Sequence, residues 1–161
     1  MNFKTRKTIR LENWDYNTPG IYFVTICAKN RTNYFGEIVG GGACDTPQAK
    51  LSPWGEITRK HITSSSIIGG VIIDKFVIMP NHIHLLIRIE NGTSRAPSPT
   101  NALLPLAVSV LKRKVNREVG KNIFQRSFYD HIVRNEQDYK EIWEYIDTNP
   151  ARWASDEFFT N

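Results

Sequence analysis

The chain of 161 residues is short of several things, and each shortage narrows what it can be. No apolar run approaches the ~20 residues that a bilayer-spanning helix needs, so no membrane span is expected. The N-terminal stretch Met1-Asn2-Phe3-Lys4-Thr5-Arg6-Lys7 runs into Leu11-Glu12-Asn13-Trp14 without an apolar signal region, so secretion is not expected either. Cysteine is limited to Cys27 and Cys44. They lack metal or redox spacing and are too few for a disulfide framework, so free thiols in a reducing cytoplasm are the expectation. Gly40-Gly41-Gly42 lacks the lysine and the spacing of a phosphate-cradling loop, and the segment 40–50 reads as a flexible insertion.

What is present is ordinary in amount and unusual in placement. Hydrophobic residues make up 40% and charged residues 23%, the balance of one soluble globular domain. The net charge is +5 and the excess is clustered. Lys112, Arg113, Lys114, Arg117, Lys121 and Arg126 fall close together, and Lys4, Arg6, Lys7 and Arg10 lie in a polar N-terminal arm over residues 1–19. A basic cluster makes nucleic acid the first polyanion to consider, with a solvated helix face as the plain alternative.

Periodicity supplies the elements. Residues 21–28 are β-branched and aromatic and read as a buried strand, with 34–39 as a short partner beside it. Ser52 followed by Pro53 opens a helix to about Thr63, with His61 as a surface residue. Residues 71–78 and 82–90 form two strands around a Met79-Pro80-Asn81 corner, because Pro80 cannot donate to a ladder. The segment 91–101 is linker-like. A helix over 103–119 carries Leu104, Val108, Leu111 and Val115 at helical spacing, and the basic cluster on its other side. Residues 123–129 read as a last short strand. Asn135 and Asp138 cap a final helix with the stripe Tyr139, Ile142, Trp143 and Ile146, ended by Pro150. The expected fold is α+β: a ferredoxin-like βαββαβ antiparallel sheet plus a C-terminal helix, in one domain.

Within that order, one strand is chemically odd. Ile83, Leu85, Ile87 and Ile89 point one way, and His82, His84, Leu86 and Arg88 the other. Two imidazoles about 7 Å apart on one sheet face suit a shared divalent metal, and two half-exposed surface histidines are the plain alternative. In the last helix, Tyr145 and Asn149 are four apart and share a face. Taken alone they are a tethered tyrosine and a C-terminal cap.

His82-Ile83-His84, preceded by Met79-Pro80-Asn81, and Tyr145-Ile146-Asp147-Thr148-Asn149-Pro150 together resemble the HUH-type single-tyrosine transposases of insertion sequences. The Tyr-Ile-x-x-Asn-Pro form looks most like the REP-associated tyrosine transposases. Tyr22-Phe23-Val24-Thr25 and the segment 124–131 extend the resemblance over residues 20–153. It implies a transposase: a DNA-binding, single-stranded DNA endonuclease and strand transferase. Tyr145 would be the catalytic nucleophile and His82, His84 and Asn149 the metal ligands, with Mg2+ or Mn2+ as the ion. The helix that carries Tyr145 would then be the added C-terminal element. Hairpin-bearing single-stranded DNA is the implied partner, and monomer and homodimer are both open. Lys112, Arg113, Lys114, Arg117 and Arg126 are candidate DNA contacts; His131 either touches DNA or anchors the last helix. Tyr22, Trp143 and Trp153 are candidates for base stacking, against core packing. Two other classes stay open: a nucleic-acid-binding module without catalysis, and a metal-dependent phosphodiester hydrolase that does not use Tyr145.

Overall fold

Alternation along two neighbouring strands builds the centre of the molecule. The computed structural model describes residues 18–42, 45–64, 67–90 and 102–160. The elements run β1 (Gly20–Cys27), β2 (Gly36–Val39), β3 (Gln48–Leu51), α1 (Pro53–Thr63), β4 (Val71–Ile78), β5 (His82–Ile89), α2 (Leu103–Val119), β6 (Tyr129–Val133) and α3 (Glu136–Thr148), with a 3-10 turn over Pro150–Ser155. Four strands form one sheet in the order β4-β5-β1-β6, with every neighbouring pair antiparallel. The central pair is β1 and β5, in a register that sets Thr25 opposite His84 and Cys27 opposite His82.

The two faces of this sheet are packed differently. Tyr22, Val24 and Ile26 of β1 join Ile83, Leu85, Ile87 and Ile89 of β5 on one side, where Leu104, Val108, Leu111 and Val115 of α2 and Ile62 of α1 cover them. Opposite lies a smaller cluster: Phe23 and Leu86 from the sheet against Ile142 and Ile146 of α3. The helix ends follow local chemistry. Ser52 accepts a hydrogen bond from the Gly55 amide at 3.1 Å, and Asn135 from the Asp138 amide at 2.9 Å. Gly120 ends α2 with φ 78°, a left-handed conformation that suits a residue without Cβ. His61 is half-buried and, with Lys60, pairs with Glu118, tying α1 to α2.

Three expectations need correction. The 34–39 segment pairs with Gln48–Leu51 and not with β1, since both edges of β1 are already taken by β5 and β6. The 40–50 segment is therefore partly a hairpin strand and not a flexible insertion throughout. The last strand lies at Tyr129–Val133, later than residues 123–129; Phe124 makes only an isolated bridge to Ala28. The 1–19 arm, apart from Thr18 and Pro19, lies outside the described residues, as do Cys44 and the 91–101 segment.

Candidate metal and nucleophile site

β5 starts immediately after the Met79-Pro80-Asn81 corner, so His82 and His84 stand at one end of a central strand. Neither is half-exposed: their relative exposures are 0% and 1%. The face they occupy is closed by α3 and by the segment that follows it. Phe158 lies tilted against His82 at 4.7 Å between ring centroids, and Trp153 lies 6.0 Å away. That segment is held by Asn81, whose amide nitrogen donates to the Phe158 carbonyl at 2.8 Å, and by Arg31, which donates to the Glu157 carbonyl at 3.0 Å.

The hydrogen bonds around the imidazoles define which lone pairs are available. The Asn81 amide nitrogen also faces the Arg31 carbonyl, so its oxygen turns to His82 Nδ1 at 2.9 Å. An amide oxygen only accepts, so His82 carries its proton on Nδ1 and presents a lone pair on Nε2. His84 Nδ1 lies 2.8 Å from the Thr25 hydroxyl, which can take either role. The two Nε2 atoms face each other at 3.0 Å. Burial pushes the His84 imidazolium down to about 3, and burial, then His84 and Arg31, hold His82 well below the ordinary histidine range. Both rings are therefore neutral near pH 7, the form that binds metal. Their outer nitrogens are held by neighbouring groups, as in many histidine metal sites.

α3 brings the second half. Its position on the sheet is set by a His131–Asp138 contact at 2.9 Å and a Lys75–Asp147 ion pair at 2.7 Å; the Lys75 ammonium also sits 3.9 Å from the Trp143 ring centre. Tyr145 packs edge-on, 5.3 Å from the His84 ring and 5.9 Å from Phe23. Burial first, then Asp156 and Glu157, push its hydroxyl up to about 12, while Asn149 opposes them. One turn on, Asn149 is fully buried. Its amide nitrogen donates to Asp156 Oδ2 at 3.1 Å, and among the described residues its Oδ1 finds no hydrogen-bond partner. An unpaired buried acceptor of this kind is costly unless a ligand completes it. One oxygen of Asp156 lies with the His82 and His84 nitrogens, all within 4.8 Å of one another. Two imidazole nitrogens, an amide oxygen and a carboxylate oxygen are a donor set that fits a divalent cation.

The structure thus brings His82, His84, Tyr145 and Asn149 together, and adds Asp156, which the sequence pattern does not point to. Asp156 lies past the proline that ends the helix, off any periodic stripe; the Phe158-Phe159 pair in a polar tail is the one signal that this segment packs back.

The basic candidates are elsewhere. α2 covers the sheet face opposite the histidines, so the basic cluster does not flank the site on its own face. Lys112 is not a free cation: its ammonium donates to the carbonyls of Gln125 at 2.8 Å and Ser127 at 2.9 Å, and burial brings it down to about 8. Arg113, Arg117 and Arg126 are exposed and, with Lys112 and Lys121, line an open groove beside α2, whereas Lys114 is half-buried. His131 anchors the start of α3 through Asp138. Of the stacking candidates, Tyr22 is fully buried core, Trp153 sits over His82, and Trp143 is exposed at 37%. No described helix is long and apolar enough to cross a membrane.

No family model matches the chain. An uncharacterized protein of Haemophilus influenzae is 32% identical over 177 residues, covering 97% of this chain and 94% of its own length. The REP-associated tyrosine transposase of Escherichia coli is 28% identical over 81 residues, half of this chain and 44% of that protein. Among solved structures, that of a REP-associated tyrosine transposase bound to a REP hairpin superposes with a TM-score of 0.60 at 21% identity. The match covers 89% of this chain and 74% of that one, and at this identity it speaks for the fold.

Proposed function

We propose that the chain is a REP-associated tyrosine transposase, the kind of protein its named relatives and its structural neighbour are, and that it cuts and rejoins single-stranded DNA through Tyr145 in the manner of the HUH single-tyrosine class. The scaffold for this is a ferredoxin-like split βαβ sheet, a label the strand order β4-β5-β1-β6 supports, with α3 as the added helix that carries the tyrosine. One observation carries the proposal. A tyrosine on α3 packs against His84, and one turn later a fully buried asparagine, bonded to the Asp156 carboxylate that is grouped with both imidazoles, carries an oxygen with no hydrogen-bond partner among the described residues.

His82, His84 and Asn149 would hold a divalent cation such as Mg2+ or Mn2+, which when bound polarises a phosphate oxygen. The remaining work belongs to the chain. Tyr145 is protonated at neutral pH, so its proton leaves to solvent as Oη attacks the phosphorus. The P–O3′ bond breaks, the 3′ oxygen takes up a proton, and the 5′ phosphate stays on Tyr145. Attack by another 3′-hydroxyl reverses these steps and rejoins DNA without ATP. Asn149 eases the first step by lowering the Tyr145 pKa, against burial and the charges of Asp156 and Glu157. Packing of Tyr145 between His84 and Phe23 orients it, which spares the entropy of finding a line of attack. Hairpin-bearing single-stranded DNA is the proposed substrate, and Arg113, Arg117 and Arg126 are the proposed backbone contacts.

A second reading, DNA binding without catalysis, is favoured by the closure of the histidine face under Trp153 and Phe158. Incubation with Mn2+ and labelled single-stranded hairpin DNA separates the two. The expected result is a denaturation-resistant protein–DNA adduct that disappears in Tyr145→Phe, with the melting temperature of the variant close to that of the native chain. Hairpin binding with no adduct would establish the binding module. Cleavage that survives Tyr145→Phe would make the protein a hydrolase.

A further inference from the structure

The resemblance that identifies His82, His84, Tyr145 and Asn149 ends at residue 153, yet the site does not. Two imidazoles and an amide are all neutral, and a cation buried among neutral groups lacks the opposite charge that would offset its desolvation. Among the described residues, Asp156 is the acidic side chain with an oxygen grouped with both histidine nitrogens. Its place is set by two hydrogen bonds. Oδ1 accepts from the Phe158 amide at 2.7 Å and Oδ2 from the Asn149 side chain at 3.1 Å. A carboxylate has about four lone-pair directions, so these two bonds orient it without exhausting it. The second bond also decides which end of the Asn149 amide faces Asp156, leaving Oδ1 without a hydrogen-bond partner among the described residues.

We propose that Asp156 is a further protein ligand of the cation, delivered by the C-terminal segment, so that cation binding and docking of residues 150–160 are one linked equilibrium. The proposal rests on the cation site of the preceding reading and adds the charge that site otherwise lacks. The segment that carries Asp156 is held by contacts that do not involve the cation: Phe158 on His82, Asn81 on the Phe158 carbonyl, and Arg31 on the Glu157 carbonyl. Linkage requires that a cation which binds only the docked arrangement tighten it in proportion to its own affinity.

The test uses the full chain without DNA. Mn2+ is titrated into native protein, His84→Gln, Asp156→Asn, Glu157→Gln and Phe158→Ala, and free Mn2+ is followed by electron paramagnetic resonance. Amide exchange of residues 157–160 is measured with and without Mn2+. Native protein should bind one Mn2+, and His84→Gln should lose it. Asp156→Asn, which keeps an oxygen for the Asn149 bond, should bind at least tenfold more weakly, and Glu157→Gln as the native chain does. Mn2+ should slow exchange at 157–160 in native protein but not in Asp156→Asn. Should Asp156→Asn melt early, Phe158→Ala decides: undocking the segment should weaken Mn2+ binding, and unchanged affinity would overturn the proposal. Native affinity in a folded Asp156→Asn, with His84→Gln still defective, would reduce Asp156 to a clamp and leave the cation site standing. A native chain that binds no Mn2+ would sink both.

Discussion

The two faces of the central sheet are made by the same strands and do opposite things. Toward α1 and α2, β1 and β5 present Tyr22, Val24, Ile26, Ile83, Leu85, Ile87 and Ile89, a continuous apolar surface. Toward α3, the alternate residues of the same strands include Thr25, His82 and His84, with Phe23 and Leu86 buried in the apolar cluster and Ile21 packed against it. Six polar side chains are buried among the described residues, and five of them (Thr25, Asn81, His82, His84 and Asn149) sit at the second face; only Thr58 does not. Burying polar groups costs free energy that hydrogen bonds only partly return. The first face supplies the surplus that lets the second hold neutral imidazoles and an unpaired amide oxygen. Stability and chemistry are separated by the period of a strand.

Adjacent residues on β5 give the strongest way to break that contrast. Leu85 and Leu86 are both fully buried but face opposite ways. Leu85→Ala should cost about 3 kcal/mol, read as a lower midpoint in urea, while each molecule that remains folded forms adduct at the native rate. Leu86→Ala, beneath α3, should slow adduct formation beyond what its loss of stability explains. Equal kinetic effects from the two would mean that the faces are not independent.

Acid should expose the second face next. In the unfolded chain His84 takes up a proton near pH 6.5, and in the folded chain only near 3. Between those values the unfolded state binds more protons. The stability is therefore complete above about 6.5, is lost as pH falls through that window, and stops changing on this account below about 3. The slope is about 1.4 kcal/mol per pH unit for each such histidine. Denaturation in a chelator between about pH 6.5 and 5, before most carboxylates titrate, should show it, and His84→Gln should remove one proton's share. An identical slope in that variant would mean that folded His84 is protonated.

Periodicity makes some of this legible in the sequence and leaves the rest dark. α1 and α2 begin and end where Ser52-Pro53 and the Leu104–Val115 stripe place them, because caps and a helical period are local signals. The alternation of β5 separates the two faces correctly. It does not show that the histidine face is closed, since the cover is a segment beyond Pro150 that has no period and is held by contacts from Asn81 and Arg31, both distant in sequence. The small hairpin is hidden for a related reason: 48–51 is too short and polar to announce a strand, and its partner is decided by which edges β1 has already filled. Asp156 escapes notice because it meets Asn149 seven residues on, across a turn.

Charge is the least legible signal, since Lys112 and Arg113 are neighbours with the same sign and different work. Lys112 holds the chain at 125–127 through its carbonyls, and Arg113 and Arg117 project from the exposed side of α2. Each phosphate that a cation ceases to neutralise should change the slope of log affinity against log salt by about 0.7 for single strands and about 0.9 for duplex. Arg113→Ala with Arg117→Ala should flatten that slope by the share of one or two phosphates while leaving the melting temperature in place, the smallest of these effects. Lys112→Met should do the reverse, lowering the melting temperature with the salt slope unchanged. A flattened slope in Lys112→Met would return that lysine to the DNA. An unchanged slope in the double arginine variant would assign the groove beside α2 to solvent and move the search for the DNA path to the histidine face, where Trp143 and Phe159 are exposed aromatics.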